Sequence, residues 1–169
     1  RLPPPEKSLI RLDELFAQVA KVATQEWDEK GLSLVIKVEP SGLDVQADRD
    51  MIEQVLINLL QNAAQALEGT SGATVWLTGH LSKRGRVVME VSDNGAGIPA
   101  EIAQKIFVPF FTTKRGYGGT GLGMHLVYNL VHQALQGTIQ LQQASQGCAF
   151  SLSIPVQIKV IPPEKQASS

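Results

Sequence analysis

Two asparagines, Asn58 and Asn62, interrupt an otherwise apolar run, Leu56-Ile-Asn-Leu-Leu-Gln-Asn-Ala63. On a helix, a spacing of four puts both amides on one face, about one turn apart. Asparagine is a middling helix former, and two of them at the edge of a buried stripe need polar partners. A carboxamide oxygen is a hard donor suited to Mg²⁺, an ion that keeps several waters and bridges substrate phosphates. Taken alone, the pair could equally bond nearby backbone. Further along, Asp93-Asn-Gly-Ala-Gly-Ile-Pro99 follows a strand-like run. A carboxylate at a strand end can accept a hydrogen bond from an exocyclic amine, and Gly95 and Gly97 let backbone pass close to a flat base. The same letters also spell an ordinary tight turn.

The third and fourth islands adjoin each other. Phe107-Val-Pro-Phe-Phe-Thr-Thr-Lys114 holds three of the five phenylalanines. Aromatics this dense can simply close a core edge. Through Arg115 they run into Gly116-Tyr-Gly-Gly-Thr-Gly-Leu-Gly123, five glycines in eight residues, which opens a helix-like pattern. Orphan amides at a helix N-terminus attract anions, so the backbone from Thr120 to Gly123 suits a phosphate. The run lacks the Gly-Lys-Ser/Thr ending of a P-loop and does not follow a first strand, as a dinucleotide-binding loop would.

The elements that must carry these islands follow from periodicity. Pro3, Pro4 and Pro5 predict an extended start, and residues 1–9 read as a linker. From Asp13, a candidate N-cap, apolar spacing predicts a helix reaching Trp27 and ending at Gly31. Leu32 to Val38 and Leu43 to Gln46, around Pro40-Ser41-Gly42, read as a hairpin. Asp48 should cap a long helix through Leu67, whose apolar stripe runs Met51, Ile52, Val55, Leu56, Leu59, Leu60 and Ala63. Thr74 to Leu81 and Arg86 to Val91 read as an antiparallel pair. Ala100 to Phe107 suits a short helix, Leu122 to Leu135 a longer one closed by Gly137, and Thr138 to Gln142 and Ala149 to Ile154 the last strands. This pattern predicts an α+β fold: a two-layer α/β sandwich with a mixed, mostly antiparallel sheet and about three helices on one face. The other face should meet solvent or a partner.

Composition narrows the function. The 169 residues are 43% apolar, enough to bury roughly 70% of the unfolded surface in one core. With 15 basic and 16 acidic residues the net charge is −1, which argues against a module driven by phosphate neutralisation on nucleic acid. One cysteine, Cys148, allows no internal disulfide. No apolar run reaches the roughly 18 residues that a membrane span needs.

An Asn pair on a helix, Asp-x-Gly-x-Gly after a strand, aromatic-Thr-Thr-Lys, then Gly-Thr-Gly-Leu-Gly opening a helix: in this order and spacing, the four islands closely resemble the N, G1, F and G2 boxes of the catalytic ATP-binding domain of sensor histidine kinases. These belong to the superfamily that includes gyrase-type topoisomerases, heat-shock chaperones and mismatch-repair ATPases. The resemblance covers residues 10–157, with 158–169 as a C-terminal tail, and implies a Bergerat-type fold with ATP and Mg²⁺ as cofactors. It implies that Asn62 binds Mg²⁺ and that Asn58 lies near the phosphates. Asp93 would then take the adenine amine, with Gly95, Gly97 and Ile98 shaping and lining the pocket. Phe110, Phe111, Thr112, Thr113 and Lys114 match the start of a lid, and Lys114 would approach the terminal phosphate. Gly119, Thr120, Gly121, Leu122 and Gly123 would wrap the phosphates, and Ser151 would supply a strand hydroxyl beside the aspartate.

The superfamily's hydrolytic members commonly carry a glutamate at the position of Asn58. A neutral amide cannot serve as that base, so the resemblance implies phosphoryl transfer rather than fast hydrolysis. Glu53, five residues earlier, is a nearby carboxylate. The expected acceptor is a histidine on a separate dimerisation domain, with a response regulator downstream. None of His80, His125 and His132 has a phosphoacceptor setting, and His125 and His132 read as surface or packing residues. The implied location is the cytoplasm, as a soluble protein or the cytoplasmic part of a membrane-anchored sensor. Two other readings compete: a serine/threonine kinase of the anti-sigma type, and an ATP-sensing interaction module without transfer.

Overall fold

The structure is a computed structural model that describes residues 2–109, 123–143 and 146–156. Its chain order is β1 (Lys7–Arg11), α1 (Leu12–Ala23), β2 (Ser33–Glu39), β3 (Asp44–Asp48), α2 (Arg49–Ala66), β4 (Thr74–Leu81), β5 (Arg86–Asp93), α3 (Ala100–Ala103), α4 (Gly123–Asn129), β6 (Thr138–Gln143) and β7 (Cys148–Pro155). Five strands form the main sheet in the order β2-β4-β5-β7-β6. The β2–β4 pair is parallel and the other three pairs are antiparallel. Alternation does the sorting: Val75 and Leu77, Val87, Met89 and Val91, and Phe150, Leu152 and Ile154 are buried, while the residues between them are only half-buried. The helices cover the buried face with Leu12, Leu15, Phe16 and Val19 of α1 and Ile52, Val55, Leu56, Leu59 and Leu60 of α2. Each such side chain contributes about 1.5–3 kcal/mol on leaving water. Fold class and layer arrangement are those the periodicity predicts. Among the described residues no helix is long and apolar enough to cross a membrane.

Several local expectations are corrected. The turn at Pro40 exists, with Leu43 N–H bonded to the Pro40 carbonyl (3.1 Å), but its two strands do not pair with each other. β2 runs parallel to β4 at the sheet edge, and β3 pairs with β1 in a separate two-stranded ribbon. Parallel pairing sets Leu34 and Ile36 beside Val75 and Leu77, a row that a β2–β3 hairpin would forgo. Turn residues signal a reversal, not which strand becomes the neighbour. Lys7, Ser8 and Leu9, within the stretch read as linker, are likewise paired strand.

Helix α1 starts without a side-chain cap, because its N-cap residue is Arg11, whose guanidinium has no acceptor; Leu12 N–H bonds to the Leu43 carbonyl (2.9 Å). Asp13 instead accepts from Arg11 (2.9 Å) and from Glu14 N–H (2.7 Å), an exposed arrangement worth little. The helix ends at Ala23, where Thr24 Oγ1 bonds back to the Ala20 carbonyl (2.6 Å), and turns carry the chain past buried Trp27 to Gly31. Helix α3 stops at Ala103, well short of Phe107. After α4 the chain widens into a π-helical turn, Leu130–Ala134. The left-handed residue that follows is Gln136 (φ 54°), not Gly137. Gly137 is needed for space: a Cβ there would stand 2.3 Å from the Ser153 carbonyl oxygen.

Asp48 joins the ribbon to α2 as the sequence predicts, and does more. Oδ1 accepts from Met51 N–H (3.1 Å), the N-cap bond, while Oδ2 accepts from Glu6 N–H (2.8 Å) at the start of β1. Asp48→Ala should therefore lower stability by about 1–2 kcal/mol, read as a lower denaturant midpoint at unchanged slope. Asp48→Asn, which keeps an acceptor oxygen, should lose clearly less.

Candidate functional site

Helix α2 carries one face of the site. Its stripe packs on the sheet, so Asn58 and Asn62, turned to the side, meet the start of α4. A Cβ on Gly123 would stand 3.0 Å from Asn58 Oδ1, so α4 crosses the amide pair where it has no side chain. One residue on, Met124 Sδ accepts from Asn62 Nδ2 (2.8 Å). Asn62 is only 6% exposed, and this contact uses its amide nitrogen and not its carbonyl oxygen. The amide pair thus fits a hard metal ion sharing its ligands with a phosphate. Glu53 is elsewhere on the helix, paired with Arg49 (3.2 Å).

Strand β5 delivers Asp93 as its last residue, on the helix-facing side and 7% exposed. Its Oδ1 accepts from Gly95 N–H (2.9 Å), and Cys148 Sγ–H points to Oδ2 (3.5 Å). Asn94 ties the loop to β4, accepting from Thr74 N–H (2.9 Å) and donating to the Gly72 carbonyl (3.0 Å). Gly95 lies against the end of α2: a Cβ there would be 2.8 Å from Leu67 Cδ2. Leu67 therefore links the aspartate loop to the helix that bears the amides. Gly97 takes a left-handed φ of 83°, and Ile98 is buried behind it.

Asn58 and Asn62 are thus met by α4 at Gly123 and Met124, Asp93 and Gly95 lie at the end of the same helix, and Gly97 and Ile98 follow on the aspartate loop. Phe110, Phe111, Thr112, Thr113, Lys114, Gly119, Thr120, Gly121 and Leu122 lie outside the described residues. Ser151 is misassigned. It pairs with Glu90 and Gln140 and shares its side of β7 with Ala149 and Ser153, away from the helices, whereas Asp93 faces the helices. The neighbour of the carboxylate is Cys148, three residues earlier and on the opposite side of the strand.

Sequence reasoning also passed over Gly147, although register could have found it. Pairing Ser92 with Ala149 brings Asp93 to the start of β7. Gly147, at φ 79°, approaches so closely that a Cβ would stand 1.9 Å from the Asp93 carbonyl oxygen. The histidines pack, as expected. His125 Nδ1 meets the Phe107 carbonyl (3.1 Å) and Nε2 meets Asn129 Nδ2 (3.2 Å), which assigns the proton to Nδ1. His132 stacks on Tyr128, whose ring lies 5.5 Å from Phe107. His80 is exposed on β4.

A mixed sheet under helices, with an aspartate at a strand end facing an amide-bearing helix, defines a nucleotide-binding domain of the two-layer ATPase class. Residues 47–158 match the family model described as histidine kinase-, DNA gyrase B-, and HSP90-like ATPase, and the chain belongs to this family. It is 37% identical over 150 residues to the sensor histidine kinase ZraS of Escherichia coli strain K12, covering 88% of this chain and 31% of that protein. Among solved structures it is similar to the catalytic domain of histidine kinase ThkA, at 32% identity and TM-score 0.79, covering 89% of this chain and 98% of that one. ThkA in complex with the response regulator TrrA is also similar, at 29% identity and TM-score 0.77, over 90% of this chain and 42% of that one. The chain spans about a third of the length of the curated relatives it matches. It is a histidine kinase-type ATP-binding domain.

Gly147→Ala should cost at least about 1–3 kcal/mol from the positive φ alone, with the clash against Asp93 added. A thermal melt lowered by several degrees or more is expected, whereas Gly69→Ala, with nothing near its Cβ, should lower it less.

Proposed function

We propose that this chain is the catalytic domain of a sensor histidine kinase, transferring the γ-phosphate of Mg²⁺-ATP to a histidine on a dimerisation domain outside it. The observation that carries the reading is the convergence of a buried strand-end carboxylate, Asp93, and a neutral amide pair on one helix, linked through Leu67. In this reading Asp93 accepts from the adenine amine while Gly95 N–H and the Cys148 thiol hold its orientation. Ile98 lines the base, and Gly95 and Gly97 keep the loop low enough to admit it. Asn62 offers its carbonyl oxygen to Mg²⁺, and Asn58 lies beside the phosphates under Gly123. Bound Mg²⁺-ATP supplies the phosphoryl donor, with the ion neutralising charge on the phosphates.

Asn58 cannot take a proton from water, so the site holds the nucleotide without activating its hydrolysis. That leaves the terminal phosphate for an imidazole brought from elsewhere. Lys114, Thr112, Thr113 and Phe110 are assigned to the lid, and Gly119, Thr120, Gly121 and Leu122 to the phosphate loop, on their match to the family's boxes. The ThkA–TrrA complex supports a response regulator as the downstream partner, and ZraS supports a sensor kinase as the whole protein; the reading places its catalytic part in the cytoplasm. Since these relatives are sensor kinases, the serine/threonine-kinase and non-transferring readings are set aside.

The reading is tested by thermal melting with a non-hydrolysable ATP analogue and Mg²⁺. At a hundredfold excess over the dissociation constant the domain should gain about 2.7 kcal/mol, a rise of several degrees that GTP does not reproduce. Asp93→Asn should weaken binding about tenfold or more, since hydrogen bonds to charged groups contribute about 1.5–3 kcal/mol. Asn62→Ala should remove most of the Mg²⁺ dependence. Equal affinity in wild type and both variants would overturn the site.

A further inference from the structure

Gln143, the last residue of β6, reaches across to the loop that follows Asp93. Its Oε1 accepts from Ile98 N–H (3.4 Å), and its Nε2 donates to the Ile98 carbonyl. One side chain thereby makes both bonds that a neighbouring strand residue would make. Gly97 lies beside this contact: a Cβ there would stand at an ordinary 3.4 Å from Gln143 Oε1 and a tighter 3.3 Å from the Gly147 carbonyl oxygen, and its φ of 83° favours glycine. Beyond Ile98, the Pro99 carbonyl accepts from Ile102 and Ala103 N–H (3.0 and 2.9 Å), fixing the loop's far end to α3. Asp93 fixes the near end through Gly95 N–H. Between these anchors the backbone at Ile98 is held by Gln143.

We propose that Gln143 is a positioning residue for nucleotide recognition, holding Ile98 and the glycine turn at the height that lets a base lie against them while Asp93 reads its edge. The assignment rests on the reading of Asp93 and Ile98 as the nucleotide site. Gln143 is exposed, so the clamp contributes little to folding and acts on the shape of the loop. The end of β6 and the start of β7 thus meet the aspartate loop through three different groups: the Gln143 amide on Ile98, the Gly147 backbone beside Asp93 and Gly97, and the Cys148 thiol on the carboxylate.

The test uses Gln143→Leu and Gln143→Glu in this chain, with three readouts. These are hydrogen exchange of the Ile98 amide without nucleotide, affinity for the Mg²⁺-loaded ATP analogue, and melting temperature. Gln143→Leu keeps the bulk and loses both bonds. Its Ile98 amide should exchange faster, its affinity should fall about five- to tenfold, as the loss of one or two ordinary hydrogen bonds allows, and its melting temperature should barely move. Gln143→Glu can still accept from Ile98 N–H but has no proton for the carbonyl, so Ile98 should stay protected and affinity should fall by an intermediate factor. If wild type binds and Gln143→Leu binds equally well, the positioning role is overturned and the kinase reading stands. A loss of affinity with Ile98 exchange unchanged would also overturn it, since the effect would then come by another route. Wild type failing to bind any adenine nucleotide would bring down the site reading and this assignment with it.

Discussion

A carboxylate is costly to bury unless donors meet it, and Asp93 is buried where the site needs a fixed acceptor. Much of the local architecture answers that constraint. The loop turns back at once so that Gly95 N–H reaches Oδ1, and the last strand enters with a thiol aimed at Oδ2. The turn before that strand must press against the backbone of Asp93 itself, which demands a glycine at position 147. Leu67, closing α2, fills the space that Gly95 leaves open. Acceptor and amide face are thereby set by the same helix end, so their spacing is a property of the packed core and not of a mobile loop.

A second constraint acts through α2. The helix must bury a stripe against the sheet and also keep two amides at its edge. Crossing by α4 reconciles the two demands, since Gly123 gives Asn58 room and Met124 accepts from Asn62. Because the two side-chain amides on that face are neutral, they present hydrogen-bonding and ligating groups and no base.

Much of this was legible in the sequence. The stripe of α2, the cap at Asp48 and the alternation of β4, β5 and β7 are local signals, and each appears where periodicity places it. What local signals cannot carry is pairing. Pro40-Ser41-Gly42 marks a turn but is silent on β2 joining β4 and β3 joining β1. The same blindness applies to Ser151: the resemblance points to a hydroxyl in the right strand, and only register shows that Cys148 and Asp93 face each other. Gly137 shows the converse, a glycine suited to a helix end whose actual duty is to clear a strand carbonyl, while Gln136 takes the left-handed turn.

The β1–β3 ribbon bears on how the domain carries mechanical load. Its five antiparallel rungs lie between Lys7 and the strand that leads directly into α2, and the Asp48 carboxylate grips both Glu6 N–H and the first turn of that helix. Because the start of β1 and the start of α2 share one end of the ribbon, a displacement of the chain at Glu6 bears first on the rung between Lys7 and Asp48 and on the cap of the helix that holds Asn58 and Asn62. The ribbon and its carboxylate thereby couple the backbone at Glu6 to the amide-bearing helix.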